Sequence, residues 1–164
     1  MAELNRSPRV SSLTCRAPCG ILPPMCGRFK HCDLIDAVPN CPVSDGATPQ
    51  DCVAHHFVFD PITDERNFRP AKIKQPNRAF RDDQKCKSCG LSMYPTEERA
   101  RAMVHYLTKG HKKALPLELG THIARAMLRA ADGESTPTDT HGHYTFFEYV
   151  NVNACAKFRI LGAL

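Results

Sequence analysis

The chain of 164 residues contains no tryptophan, and none of its apolar runs approaches the roughly 18–20 residues that a membrane-spanning helix needs. The apolar stretch at residues 19–22 is ended by Pro23 and Pro24, so no secretory signal is expected. Also missing are the motifs G-x-x-x-x-G-K-S/T, G-x-G-x-x-G, G-x-S-x-G and H-E-x-x-H. These absences argue against membrane proteins and the enzyme classes that those motifs define, and they favour a cytoplasmic protein.

Aromatic residues are nearly absent from residues 1–51, which contain Phe29 as their single aromatic side chain but seven of the thirteen prolines and five of the nine cysteines. Such a segment has few side chains with which to build a core. The apolar patterns typical of strands and helices begin at Cys52. We therefore predict an irregular or disordered Pro/Cys-rich extension over 1–51 and one folded domain over 52–164.

The odd number of cysteines and the lack of an export signal predict reduced thiols. Cys86-Lys87-Ser88-Cys89-Gly90 has the spacing of a zinc knuckle, in which a tight turn directs two thiolates at one ion. One knuckle supplies two of four ligands, and Cys52 and His56 are candidates for the other two. The alternative is a pair of reduced cysteines in a loop, because the sequence has no second C-x-x-C.

The domain is predicted to be α+β, a mostly antiparallel sheet of four to five strands with one main helix. Thr96 is a good N-cap for a helix over about 96–109, Glu97 and Glu98 suit its first turn, and Gly110 is a good stop. Strands are predicted at 52–59, 90–94, 143–150 and 157–161, whereas 121–131 fits either a strand or a helix. The segments flanking the polar turn region 132–142 are expected to pair with each other, and 61–87 is expected to be mostly loop.

Positive charge is concentrated in residues 66–87. This basic segment contains eight basic and two acidic side chains, a net charge of 8 − 2 = +6, which exceeds the formal +5 of the whole chain. The eight are Arg66, Arg69, Lys72, Lys74, Arg78, Arg81, Lys85 and Lys87. With Phe68 and Phe80 interleaved, the pattern is typical of a loop that contacts phosphates and stacks on bases. A docking surface for an acidic protein and a solvated loop are the alternatives.

His55 on the first predicted strand, Tyr94 before the predicted helix and Glu148 on a late strand follow the order His, Tyr, Glu. This order resembles the His–Tyr–Glu class of ADP-ribosyltransferases, and Gly90-Leu91-Ser92-Met93-Tyr94-Pro95-Thr96 is similar to the stretch around the tyrosine of that class. The resemblance implies NAD as substrate, with His55 contacting the ribose, Tyr94 stacking on nicotinamide and Glu148 holding the ribose during transfer. Phe57 departs from the family pattern, in which a glycine or a small hydroxyl residue follows the histidine.

Two function classes therefore stay open. The leading prediction is a non-catalytic interaction domain, with or without a stabilising zinc ion, whose basic segment binds an acidic protein or nucleic acid. The alternative is an ADP-ribosyltransferase-like enzyme that uses His55, Tyr94 and Glu148 with NAD.

Overall fold

The computed structural model describes residues 27–108 and 119–164. Its strands are β1 Thr48–Pro49, β2 Cys52–Val58, β3 Leu91–Met93, β4 His122–Leu128, β5 Gly133–Ser135, β6 Tyr144–Glu148 and β7 Arg159–Ala163. Its α-helices are α1 Cys32–Asp36, α2 Ala71–Lys74, α3 Asp82–Lys85, α4 Glu97–Thr108 and α5 Ala154–Lys157, and short 3-10 turns lie at Val43–Asp45 and Lys87–Cys89. The predicted α+β class with one main helix is confirmed.

The strands form two antiparallel sheets, one of four strands in the order β1-β5-β6-β3 and one of three in the order β2-β4-β7. The two sheets meet where β2 passes β3. There the backbones of His55 and Tyr94 exchange two hydrogen bonds of 2.8 and 3.0 Å, and the Tyr144 hydroxyl donates to the carbonyl of Val53 at 2.9 Å.

Successive side chains of a strand point to opposite faces of its sheet, so the two faces contribute to different clusters of buried residues. Phe146 points into the cluster between the two sheets, which also holds Met93 and Leu128, whereas Phe147 points the other way into a cluster with Phe29 and Ile35. A third cluster joins α4 to the outer face of the three-stranded sheet. Both sheets therefore have both faces at least partly covered, and this explains the aromatic-rich sequence of β6.

Helix α4 has the structure that its sequence predicts. The backbone N–H of Arg99 donates to the Thr96 hydroxyl at 3.3 Å, the expected N-terminal cap. Ala100 is fully buried, and Met103 and Val104 pack against the same cluster. The predicted stop at Gly110 lies outside the described residues.

The pairing of two strands differs from the sequence-based expectation. The segments flanking 132–142 do not pair: β4 pairs with β2 and β7, while β6 pairs with β3 and β5. The reason is that Gly133–Ser135 is itself a strand, which takes the place beside β6. Of the two alternatives for 121–131, the strand is found, as β4. Residues 61–87 are mostly irregular, as expected, and contain the single-turn helices α2 and α3.

The segment N-terminal to β2 packs against the domain from residue 27 onward. Phe29, Ile35, Cys41 and Ala47 lie in the cluster with Phe147, and β1 pairs with β5. Residues 1–26 of the predicted extension lie outside the described part of the chain. None of the described helices has the length and apolar character needed to cross a bilayer.

Candidate functional site

The basic segment is anchored to the rest of the protein at both of its ends. At its start Phe68 is buried beside Phe158, with ring centroids 5.0 Å apart. At its end Cys86 is joined to Cys41 by a disulfide. The residues between these anchors include α2 and α3, so the positive charges are presented by a defined backbone rather than by a free loop.

The first cavity beside the segment has a volume of about 610 Å³ and is lined by four of its basic side chains. Its other lining residues include the apolar Phe59, Ile73 and Pro76, and no acidic residue lines it among those that the structure describes. Arg66 stacks over the Phe59 ring at 3.6 Å from the centroid, so cation and aromatic surface are adjacent. The four basic residues are Arg66, Arg69, Lys74 and Arg78.

Ion pairs divide these four cations into two groups. Arg66 pairs with Asp64 at 2.7 Å and Arg69 with Glu65 at 3.4 Å. Among the described residues no ion pair involves Lys74 or Arg78, and the Arg78 guanidinium donates to the side-chain oxygen of Gln75 at 2.9 Å. Burial lowers the pKa of Lys74, with Arg69 as the second cause. Of the four cations that line this cavity, Lys74 and Arg78 are therefore the two that are available to pair with an anionic ligand.

Arg78 connects this cavity to two others, of about 500 and 520 Å³, because it lines all three. Phe80 lies between the second and third cavities, with Arg78 5.0 Å and Lys72 5.6 Å from its ring centroid. Arg81 pairs with Asp83 and Lys85 with Asp82, so the charges of α3 are partly neutralised. The predicted binding residues thus surround a series of adjoining concave surfaces centred on Arg78.

The predicted set His55, Tyr94 and Glu148 is only partly brought together. His55 and Tyr94 are bridge partners, and the His55 ring nitrogen lies 3.3 Å from the Tyr94 carbonyl. Glu148 lies near the opposite end of β6, five residues and about 17 Å of strand beyond His143, whose ring contacts Tyr94. Its buried carboxylate accepts from Lys30 at 3.0 Å and from the backbone N–H of Ala154 at 3.0 Å. The ADP-ribosyltransferase interpretation stays a prediction, and Glu148 has a structural role in this arrangement.

The predicted zinc ligands are likewise separated. The Cys86 sulfur is bonded to Cys41, so the expectation of reduced thiols is wrong for this pair. The Cys89 thiol is buried and donates to backbone carbonyls, and Cys52 contacts the Ser135 hydroxyl at 3.5 Å. Over residues 27–108 and 119–164, no group of three or more His, Cys, Asp or Glu side chains could hold a metal ion. Zinc binding stays a prediction from sequence alone.

A second polar group, which the sequence did not predict, lies on the wall of the 500 Å³ cavity. The Ser92 hydroxyl is 2.6 Å from Nε2 of His143, and Nδ1 of His143 is 3.6 Å from a carboxylate oxygen of Asp139. Sequence alone could not bring these residues together, because their proximity depends on the pairing of Ser92 with Thr145 in the β3–β6 register. Ser92 does not lie in a G-x-S-x-G motif, because Tyr94 stands where the second glycine of that motif would be.

Comparison of the chain with protein-family models, with curated proteins and with solved structures found no match.

Proposed function

We propose that the protein is a binding module for phosphate-bearing polymers, with single-stranded nucleic acid as the ligand of the basic segment. The observation that carries the proposal is the position of Arg78 between three cavities that together present cations next to aromatic and apolar side chains. Phosphates suit the cations, and exposed bases suit the half-buried ring of Phe80.

An acidic protein is the competing ligand, since its carboxylates would also meet Lys74 and Arg78. The apolar lining of the first cavity favours a ligand with flat, weakly polar groups between its charges. Single-stranded nucleic acid has this alternation, whereas a run of carboxylates does not.

The test measures binding of fluorescein-labelled 12-nucleotide oligo-dT and oligo-U by anisotropy at several salt concentrations. K74Q/R78Q is expected to weaken binding at least tenfold and to reduce the slope of log K against log salt by about 1.4, the value for two lost contacts to a single strand. The matched control is R125Q/R159Q, which removes two exposed charges from the three-stranded sheet, where Arg125 and Arg159 are cross-strand partners.

Equal weakening by both double variants would show that only net charge matters and would contradict the proposal. Absence of oligonucleotide binding by the wild-type chain, together with binding of a labelled 12-residue poly-glutamate, would replace nucleic acid by an acidic protein.

A cytoplasmic location is proposed on the sequence argument alone. Disulfides are rare in reducing compartments, so the Cys41–Cys86 bond weighs against that location.

A further inference from the structure

We propose that Ser92, His143 and Asp139 form a nucleophile, general base and orienting carboxylate that hydrolyse carboxylic esters whose acyl group carries a negative charge. This activity goes beyond oligonucleotide binding: its three reacting side chains lie outside the basic segment, whereas Arg78 and Lys87 of that segment line the same cavity.

The strand β3 directs Ser92 away from the core. Its neighbours Leu91 and Met93 are 2 % and 0 % exposed, whereas Ser92 is exposed. Ser92 is the partner of Thr145, so His143, two residues before Thr145, lies diagonally across on the same face. The resulting Oγ–Nε2 distance of 2.6 Å is short enough for the imidazole to accept the hydroxyl proton.

The turn before β6 fixes the His143 ring. One carboxylate oxygen of Asp139 accepts the backbone N–H groups of His141 and His143, both at 2.9 Å. Its other oxygen is 3.6 Å from Nδ1 of His143, an ion-pair distance longer than a hydrogen bond. Asp139 is therefore a positioning residue: it orders the turn that carries the His143 ring, and its charge stabilises the imidazolium once it forms.

Burial keeps the His143 imidazole in the neutral form that can accept a proton. Burial is the main cause that lowers the pKa of His143, Lys87 acts in the same direction, and Asp139 opposes both. Tyr94 packs edge-on against the ring at 5.6 Å, and the buried His56 lies close enough to interact electrostatically. The base form therefore persists below the pH at which an ordinary histidine becomes protonated.

The cavity in front of Ser92 predicts the charge of the substrate. Its volume of about 500 Å³ suits a small molecule, and its walls carry the cations Arg78, Arg81 and Lys87. Asp83 lines the same space but is paired with Arg81 at 3.0 Å. Arg78 and Lys87 are thus placed to bind a carboxylate on the acyl chain and to oppose the negative charge that develops on the carbonyl oxygen.

In the proposed step, Ser92 Oγ forms a bond to the ester carbonyl carbon while His143 Nε2 takes the hydroxyl proton. The bond between the carbonyl carbon and the alcohol oxygen then breaks, and the imidazolium returns the proton to the departing alcohol. Water attacks the acyl-serine by the same route, which releases the carboxylic acid and restores Ser92. The reaction consumes one water and needs no oxidant, reductant or metal.

The first test uses a fluorophosphonate probe on the full chain, followed by intact mass measurement and peptide mapping. We expect one adduct, on Ser92, whose formation slows by about 100-fold or more in H143Q. S88A is the matched control, because Ser88 lines the same cavity and its hydroxyl donates to the Lys85 carbonyl at 2.7 Å. No adduct on Ser92, or equal labelling of wild type and H143Q, would overturn the proposal.

The second test compares hydrolysis of the 4-nitrophenyl monoester of succinic acid with that of neutral 4-nitrophenyl butyrate. Wild type is expected to hydrolyse the anionic ester at least tenfold faster at equal low concentration, and K87Q is expected to remove the preference. D139N should give an intermediate rate, because asparagine keeps an oxygen for the two N–H groups and loses the charge. A rate unchanged in S92A would contradict the proposal.

Failure of the esterase proposal can be distinguished from failure of the nucleic-acid proposal. S92A removes the nucleophile without removing a cation, so oligonucleotide binding should equal that of wild type whether or not the esterase activity exists. Wild-type mapping and the H143Q comparison do not depend on the folding of S92A.

Discussion

His56 is a buried histidine held without charge between the two sheets. Its Nδ1 lies 2.7 Å from the Ser92 carbonyl, and its ring stacks on Phe68 at 5.5 Å. Within the described part of the chain, its Nε2 has no hydrogen-bond partner. Burial, followed by the charge of Lys74, lowers the pKa of His56 to about 3. The residue that the sequence offered as a metal ligand is thus a core side chain next to the proposed nucleophile.

This burial makes stability depend on pH in one direction. The unfolded chain takes up a proton on His56 below about 6.5 and the folded chain only near 3, so stability falls as the pH drops through that window. Between pH 7 and pH 5 we expect His56 to account for about 2 kcal/mol of lost unfolding free energy. Urea denaturation at both pH values should show this loss reduced in H56Q and unchanged in the exposed-helix control H105Q. An equal pH dependence in all three proteins would contradict the prediction.

At the scale of elements, the β5–β6 hairpin requires glycine at position 133, because there is no space for a side chain there. A Cβ at this position would contact the Phe147 carbonyl oxygen and approach the Phe146 ring to 2.6 Å. Neither group is a flexible side-chain end, because one is backbone and the other belongs to a fully buried ring.

We therefore expect G133A to lower the unfolding free energy by about 1–3 kcal/mol, the range for overpacked cores. G162A is the control, because no atom of residues 27–108 or 119–164 lies within 4 Å of its added Cβ on β7, and it should be neutral or slightly stabilising. Chemical denaturation of both variants measures the difference. Similar stabilities would show that the hairpin can shift to accept the methyl group.

The elements that the sequence predicted well are those with local signals. Thr96 marks the start of α4 and the alternation of Cys52–Val58 marks β2, and both are found as expected. Strand β5 was missed because its three residues, Gly133, Glu134 and Ser135, have a turn-like composition and become a strand only through pairing with β6. Pairing between distant segments leaves no periodic pattern of its own.

At the scale of the whole molecule, the Cys41–Cys86 disulfide joins the N-terminal segment to the end of the basic segment across a separation of 45 residues. A bond that closes a loop of this length restricts the unfolded chain and contributes about 4 kcal/mol on the chain-entropy estimate. Loss of the bond should therefore lower stability while leaving β2 and β4 paired.

The prediction is that C41S/C86S, or the reduced wild type, unfolds at lower urea concentration by an amount equivalent to about 2–5 kcal/mol. C155S is a suitable control, because Cys155 is a thiol that donates to the Ile62 carbonyl at 3.5 Å. A double variant as stable as wild type would show that packing of Phe29 and Phe147 holds the segment in place without the bond.

The two candidate sites also differ in whether the sequence could predict them, since one depends on local sequence and the other on contacts between distant segments. The eight cations of the basic segment are visible in the sequence, because charge density is a local property. Ser92, His143 and Asp139 were not found, since their contact depends on strand register and on a turn 47 or more residues away. The disulfide of Cys86 could not be predicted from the sequence either, because its partner Cys41 lies in a segment whose composition gave no sign that it packs against the domain.

The disulfide also changes the connectivity of the chain. Residues 41–86 form a covalently closed ring that includes β1, β2 and most of the basic segment. A protease that cuts within this ring, for example at an exposed arginine near α2, opens it without producing two separate molecules. The cut chain keeps its full mass until a reductant is added, so the cations of the segment stay attached to the sheets after their backbone has been broken.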